Sequence, residues 1–178
     1  QRPKKVENRR EFGHFEGDFI ESGKDGKGSL LVLVERKTRY PFIAYLEDRS
    51  NAKVNQLVEE SLKDIPIKSL TIDNDISFQK HEELSEILNS AIYFCHPQSP
   101  HEKGTIENRN KAIRRYVKKR SDLSSFPREY FKMVETKLRD RFMKCLNYKT
   151  PREAFEEEIL KIKKPLVCGM IREILLAN

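Results

Sequence analysis

Phe12-Gly-His-Phe-Glu-Gly-Asp-Phe-Ile20 is the stretch on which the architecture turns. In an extended chain Phe12, His14, Glu16, Asp18 and Ile20 fall on one face, and Gly13, Phe15, Gly17 and Phe19 on the other. Asp18 therefore lies inside a strand between aromatics, where a carboxylate is costly to desolvate without a partner or a metal. After a Gly/Asp turn from Ser22 to Gly28, Ser29-Leu-Leu-Val-Leu-Val34 reads as a buried strand and Tyr40-Pro-Phe-Ile-Ala-Tyr-Leu46 as a third. Short connections between three successive strands predict an antiparallel meander. Pro41, lacking an N–H, belongs at the start or edge of its strand.

Further along, Asp48-Arg-Ser-Asn51 offers N-caps for a helix to about Lys63, with Val54, Leu57, Val58 and Leu62 as its apolar stripe. Ile67 to Ile72 is a short fourth strand ending at Asp73-Asn74, and a helix from Lys80 to Leu88 should turn Leu84, Ile87 and Leu88 inward. Ala91 to Cys95 makes a fifth strand. It leads into His96-Pro-Gln-Ser-Pro-His-Glu-Lys-Gly-Thr-Ile-Glu-Asn-Arg-Asn110, where Pro97 and Pro100 favour a turning, extended loop. Gly104-Thr105 then opens a helix running from Ile106 to Lys119, with Glu107 in the first turn at the positive end of the dipole. Asn110, Lys111 and Arg114 follow on roughly the same face. The order β-β-β-α-β-α-β-α predicts an α/β fold, a mixed five-stranded sheet flanked by helices.

Past Arg120 a helix is expected from Pro127 to Leu146 through Phe131, Val134, Leu138 and Phe142. Another starts with Thr150 as N-cap, Pro151 in the first position and Glu153 in the third. Three units are predicted: a basic linker or arm over 1–11, a core over 12–156, and a C-terminal tail or docking helix over 157–178.

Of 178 residues, 35 are Lys or Arg and 28 Asp or Glu, a formal charge of +7 that favours a polyanionic partner. Basic residues cluster at Arg2 to Lys5, Arg9-Arg10, Lys111 to Arg120 and Lys161 to Lys164. The three cysteines form no Cys-x-x-Cys pair, which argues against a disulfide framework and for a reducing cytoplasm. Cys95-His96 with His101 lacks the second ligand pair that a zinc site needs. No apolar run is long enough for a membrane span, so no membrane partner is expected. A chain beginning at Gln1 is expected to be a piece of something longer.

The chemistry is carried by three acids. Asp18 sits within the first strand, Asp73 ends the fourth, and Glu107 opens the helix after the fifth. Neighbouring strands lie about 4.8 Å apart, so carboxylates from two of them can converge on one cation. Oxygen-only ligands suit Mg²⁺ or Mn²⁺. Two such ions, about 3.5–4 Å apart, would support in-line phosphoryl transfer. Glu16, Asp25, Asp48 and Asp75 compete as ligands on spacing alone. Glu16 shares the Asp18 face and could orient it or contact a bound metal's water, with a surface or fold role as the expectation. Glu107 with Lys111 also has the spacing of an ordinary solvated ion pair.

Gly13-His-Phe-Glu-Gly-Asp18, Thr71-Ile-Asp-Asn74, Pro97-Gln-Ser-Pro100, Gly104-Thr-Ile-Glu-Asn108 and Leu146-Asn-Tyr-Lys-Thr-Pro-Arg-Glu-Ala-Phe155 resemble the signature blocks of bacterial insertion-sequence transposases. The likeness is greatest to the insertion-sequence-thirty family, and 33 residues lie between Asp73 and Glu107, as in that family's Asp-Asp-Glu triad. The resemblance implies an RNase H-like fold of the retroviral integrase catalytic core type. It also implies metal-dependent DNA strand cleavage and strand transfer by Asp18, Asp73 and Glu107. Asn108, Lys111, Arg114, Arg115 and Lys118 become candidate DNA contacts, Arg114 matching a basic position used near donor-end DNA. The implied partners are element ends, target DNA and further copies in a homodimer or larger assembly, in a bacterial cytoplasm near the nucleoid. Asp75, Ser77 and Phe78 depart from the pattern, which has Gly and then a Glu-Phe pair after Asp73-Asn74. That departure keeps open an idle relative that binds DNA or forms oligomers as a regulator.

Overall fold

The computed structural model describes residues 3–95 and 104–176, with side chains described outside 4–5 and 164–176. Five strands form one mixed sheet: β1 (His14–Glu21), β2 (Ser29–Glu35), β3 (Pro41–Leu46), β4 (Ser69–Ile72) and β5 (Ala91–Phe94). Their order across the sheet is β3-β2-β1-β4-β5. The meander β1-β2-β3 is antiparallel, with Asp18 opposite Val32 and Phe42 opposite Leu33. β4 and β5 return parallel to β1, each after a helical crossover. Pro41 starts β3, the edge strand, where its missing N–H leaves no gap in the ladder.

The period-2 alternation of β1 and β2 serves two cores. Ile20, Leu30, Val32 and Val34 pack against Ile106, Ile113, Phe131, Val134 and Leu138 of α4 (Gly104–Ile113) and α5 (Arg128–Arg139). On the opposite face Phe15, Leu31, Leu33, Leu70 and Ile72 meet Val54, Val58 and Leu62 of α2 (Asn51–Leu62) and Leu84 of α3 (His81–Leu88). Burying each such side chain contributes about 1.5–3 kcal/mol, so this double-sided packing pins the register of the central strands. Gly17 lets β4 close in beside it: an added Cβ would stand 3.0 Å from Ile72. A third cluster joins Phe12, Tyr40 and Phe155, whose stacked rings (Tyr40 to Phe155, 4.2 Å) dock the start of α6 (Pro151–Leu176) on the sheet margin.

Several element boundaries differ from the sequence reading. The helix expected to reach Lys119 ends at Ile113 and tightens into turns in which Tyr116 N–H donates to Ile113, a winding that keeps both Ile113 and Val117 fully buried. The helix expected to reach Leu146 ends at Arg139, because the chain folds back to bond Met143 N–H to Lys149 O, with Asn147 and Tyr148 in the left-handed region. Phe142 consequently leaves the apolar stripe and is 69% exposed. Ile87 is exposed rather than inward, since α3 buries only Leu84. Where composition suggests an arm over 1–11, Lys4–Glu7 form one helical turn, α1, with Val6 buried. The boundary expected at 156/157 falls within the continuous α6. The Pro97–Pro100 loop, His96 and His101 lie outside the described residues. No helix among the described residues is long and apolar enough to cross a membrane.

Candidate active site

β1 runs parallel to β4 with Glu16 opposite Thr71. Carrying that register two steps further sets Asp18 opposite Asp73, just beyond the end of β4. Both residues line one cleft of about 190 Å³, together with Phe19, Glu21, Arg49, Asn74, Asp75 and Phe78. The cleft sits at the C-terminal ends of the parallel strands, where open sheets place their ligands. Asp18 is held from two sides: Oδ1 accepts from its neighbour Phe19 N–H (2.9 Å) and Oδ2 from the Asn110 side-chain amide of α4 (2.9 Å). Asp73 is exposed, its Oδ1 accepting from Asn74 N–H at 3.3 Å.

Glu107 stands in the first turn of α4, one turn before Asn110, but its carboxylate does not line this cleft. It bonds Lys111 instead (2.8 Å), with both side chains more than half exposed. Among the described residues no three His, Cys, Asp or Glu side chains already sit together closely enough to hold a metal ion. Asp18 and Asp73 are thus brought together, and Glu107 is placed on the adjoining helix turn but faces Lys111.

The competing acids separate cleanly. Glu16 is fully buried, pairs with Arg36 Nε (2.9 Å) and accepts the Ile106 backbone N–H (2.7 Å), a carboxylate of β1 that caps the start of α4. Asp48 is exposed, paired with Lys53 and accepting from Ser50 N–H; these bonds hold its carboxyl near pH 2, well below the usual range. Asp25 belongs to a different surface hollow beside Arg120 and Asp122. Asp75 does enter the cleft, capping the 3₁₀ turn Ile76–Phe78 through Ser77 N–H and bonding Arg49 (3.3 Å).

Of the candidate DNA contacts, Asn108, Lys111 and Arg115 line a second, larger groove beside α4. Arg114 is turned the other way, donating to the backbone oxygens of Glu21 (3.1 Å) and Lys118 (3.4 Å); its partial burial lowers its pKa. Lys118 is exposed and lines neither cavity.

Known proteins of similar sequence complete this picture. The chain is 35% identical over 162 residues to "Transposase InsI for insertion sequence element IS30A" of Escherichia coli (strain K12), covering 89% of this chain and 42% of that protein. It is 36% identical over 161 residues to "Transposase for insertion sequence element IS4351" of Bacteroides fragilis, covering 89% of this chain and 49% of that one. Nearly nine-tenths of this chain is thus similar to transposases of the IS30 family. The chain spans less than half the length of these two transposases. No protein-family model matches the chain. Its fold is similar to the "catalytic core domain of BIV integrase", with a TM-score of 0.68, 15% identity, and coverage of 85% of this chain and 98% of that one. The fold is therefore RNase H-like, of the retroviral integrase catalytic-core type.

Arg49 is the residue of this cleft that sequence reasoning missed. From the loop between β3 and α2 it pairs with Glu21 (2.9 Å) and Asp75, with its guanidinium 5.0 Å from the Phe19 ring centre. It is the one cation among the cleft's described lining residues. Its setting, Asp48-Arg-Ser-Asn51, has the signature of a helix start and carries no mark of a site.

Proposed function

We propose that the chain is the catalytic core of a transposase, cleaving DNA strands at element ends and joining them to target DNA. The observation that carries this is the shared cleft of Asp18 and Asp73 at the ends of neighbouring parallel strands, tied to the Glu107 helix through Asn110. The donor set is oxygen-only, which fits Mg²⁺ or Mn²⁺ better than a softer metal. Asp18, Asp73 and Glu107 are the residues that would hold such ions, two of them when DNA is bound. Ions held there would activate the attacking hydroxyl and offset charge on the leaving oxygen.

The chain's own residues do the positioning. The Asn110 amide holds one oxygen of Asp18 and the Phe19 N–H the other, so this carboxylate has a single orientation. Glu16 and Arg36 anchor the start of α4 to β1, so Glu107 lies on a helix whose place is set by a buried ion pair. Bringing Glu107 toward the aspartates means releasing Lys111. An exposed i,i+4 pair is worth only about 0.3–0.5 kcal/mol, so that contact is no barrier. Arg49 offsets the charge of Glu21 and Asp75, limiting repulsion around the aspartates. DNA is the substrate, and joining two ends calls for a dimer or larger assembly.

The test is cleavage, by this chain with Mg²⁺ or Mn²⁺, of an oligonucleotide duplex bearing an element end. Asp73→Asn and Glu107→Gln should each reduce cleavage about 10²–10³-fold or more while leaving the unfolding midpoint unchanged. Wild-type cleavage by either variant would remove the assignment of that residue.

A further inference from the structure

A groove of about 560 Å³ runs along the flank of α4, walled on its far side by the segment 141–145 that links α5 to α6. Six of its lining side chains are Arg9, Arg39, Arg109, Arg115, Arg141 and Lys144, with Lys111 a seventh cation, and among the described residues no Asp or Glu lines it. Seven cations around one hollow repel each other, and the rest of the surface shows what such a chain does when it can. Lys53 pairs with Asp48, Lys68 with Glu11, Arg128 with Glu47, Lys149 with Glu157 and Arg152 with Asp140.

The groove is built in two tiers. Arg109 and Arg39 form the floor: Arg109 is buried and donates to the Leu138 and Arg39 backbone oxygens, and Arg39 to Thr105 Oγ1 (3.1 Å). Burial, helped by the neighbouring Arg39 cation, lowers the Arg109 pKa to about 10, so it is still charged at neutral pH. Above them Arg115, Arg141 and Lys144 make no ion pair with a described residue, and Arg9 Nε is buried with no hydrogen-bond partner among the described residues. The Arg9 guanidinium lies at the start of α4, where a Cβ on Gly104 would be 3.4 Å from its Nη2. Phe142 stands in the same wall, 69% exposed. A bare aromatic among unpaired cations suits a ligand carrying both phosphates and ring faces.

We propose that this groove binds a single-stranded or frayed segment of DNA, its phosphates on Arg115, Arg141 and Lys144 and one base stacked on Phe142. Unpaired DNA is specified because the faces of paired bases are already covered by their neighbours in a duplex. The proposal rests on the reading of the chain as one that acts on DNA and adds a second DNA contact outside the Asp18–Asp73 cleft.

It is tested by fluorescence anisotropy, in EDTA, with a labelled oligonucleotide as single strand and as duplex over a salt series. Arg141, Phe142 and Lys144 are all exposed, so the variants retain the fold, and thermal unfolding verifies this. Phe142→Ala should weaken single-strand binding about tenfold and leave duplex binding unchanged. The double variant Arg141→Gln/Lys144→Gln should flatten the single-strand salt slope by about 1.4, at about 0.7 per lost phosphate contact. Wild-type affinity and slope in both variants would overturn the proposal, as would an equal loss on single strand and duplex for Phe142→Ala. A change in sedimentation with DNA binding intact would also overturn it, assigning the wall to protein association. If the wild-type chain binds no DNA, the proposed function falls as well. If groove variants lose binding while Asp73→Asn still cleaves, only the assignment of the acidic cleft fails.

Discussion

Glu16 shows how much a single side chain carries here. It is fully buried, and its two oxygens serve Arg36 and the Ile106 N–H, so one carboxylate joins β1, the end of β2 and the start of α4. Removing one partner of a buried pair leaves the other charge uncompensated, which costs about 3–5 kcal/mol. Glu16→Ala should therefore lower the unfolding free energy by that amount in urea denaturation. Glu16→Gln should lose less, because an amide oxygen can still accept from Ile106. Equal, small losses in both variants would show that the pair is not what holds α4. Asp18 and Asp73 were legible because acids inside a strand and at a strand end break a hydrophobic pattern. Glu16 stood out equally well, but its partners, 20 and 90 residues away, left no trace in local spacing.

Among the elements, caps followed local chemistry in part: Asp48 to Asn51 offered N-caps, but Ser50 opens α2 with no side-chain cap bond. Thr150 and Glu153 form the expected reciprocal box: Thr150 N–H donates to Glu153 Oε2 (2.7 Å) and Glu153 N–H to Thr150 Oγ1 (3.1 Å). Thr150→Ala should destabilise the chain by about 1 kcal/mol, read as a lowered midpoint in thermal unfolding. Gly13, at the start of β1, has φ +99° and would carry a Cβ 2.7 Å from Pro66 O. Gly13→Ala should cost more than the cap, about 1–3 kcal/mol, since backbone strain adds to the clash. The helix ends were read less well. Amphipathic spacing continues through Phe142, but α5 stops where Met143 bonds Lys149, a fold-back that periodicity does not encode.

Across the whole molecule, charge governs both binding and acid sensitivity. Hydrogen bonds from Lys68 and His14 hold the Glu11 carboxyl down near pH 2, from an ordinary 4.5. The folded state thus binds that proton less readily than the unfolded chain. Glu11 contributes stability that is complete above about pH 4.5 and is lost as pH falls toward 2. Glu11→Gln should make stability less steep in pH over that window, measured by urea midpoints at successive pH values, with the surface exposure of the pair keeping the effect small. An unchanged pH profile would show that the Lys68 and His14 contacts do not persist in solution.

The linear order of residues determined the strands, the helices, the net positive charge and the acids that break the apolar pattern. All of these are short-range properties, written in the period of side chains along a strand or helix. Only the tertiary structure decided which strand lies beside which, that Arg49 enters the acidic cleft, that Glu107 faces Lys111, and that cations from α4 and the α5–α6 link share one groove. Those outcomes depend on sheet register and helix docking, which bury both faces of β1 and β2 at once, and no stretch of chain contains that constraint on its own.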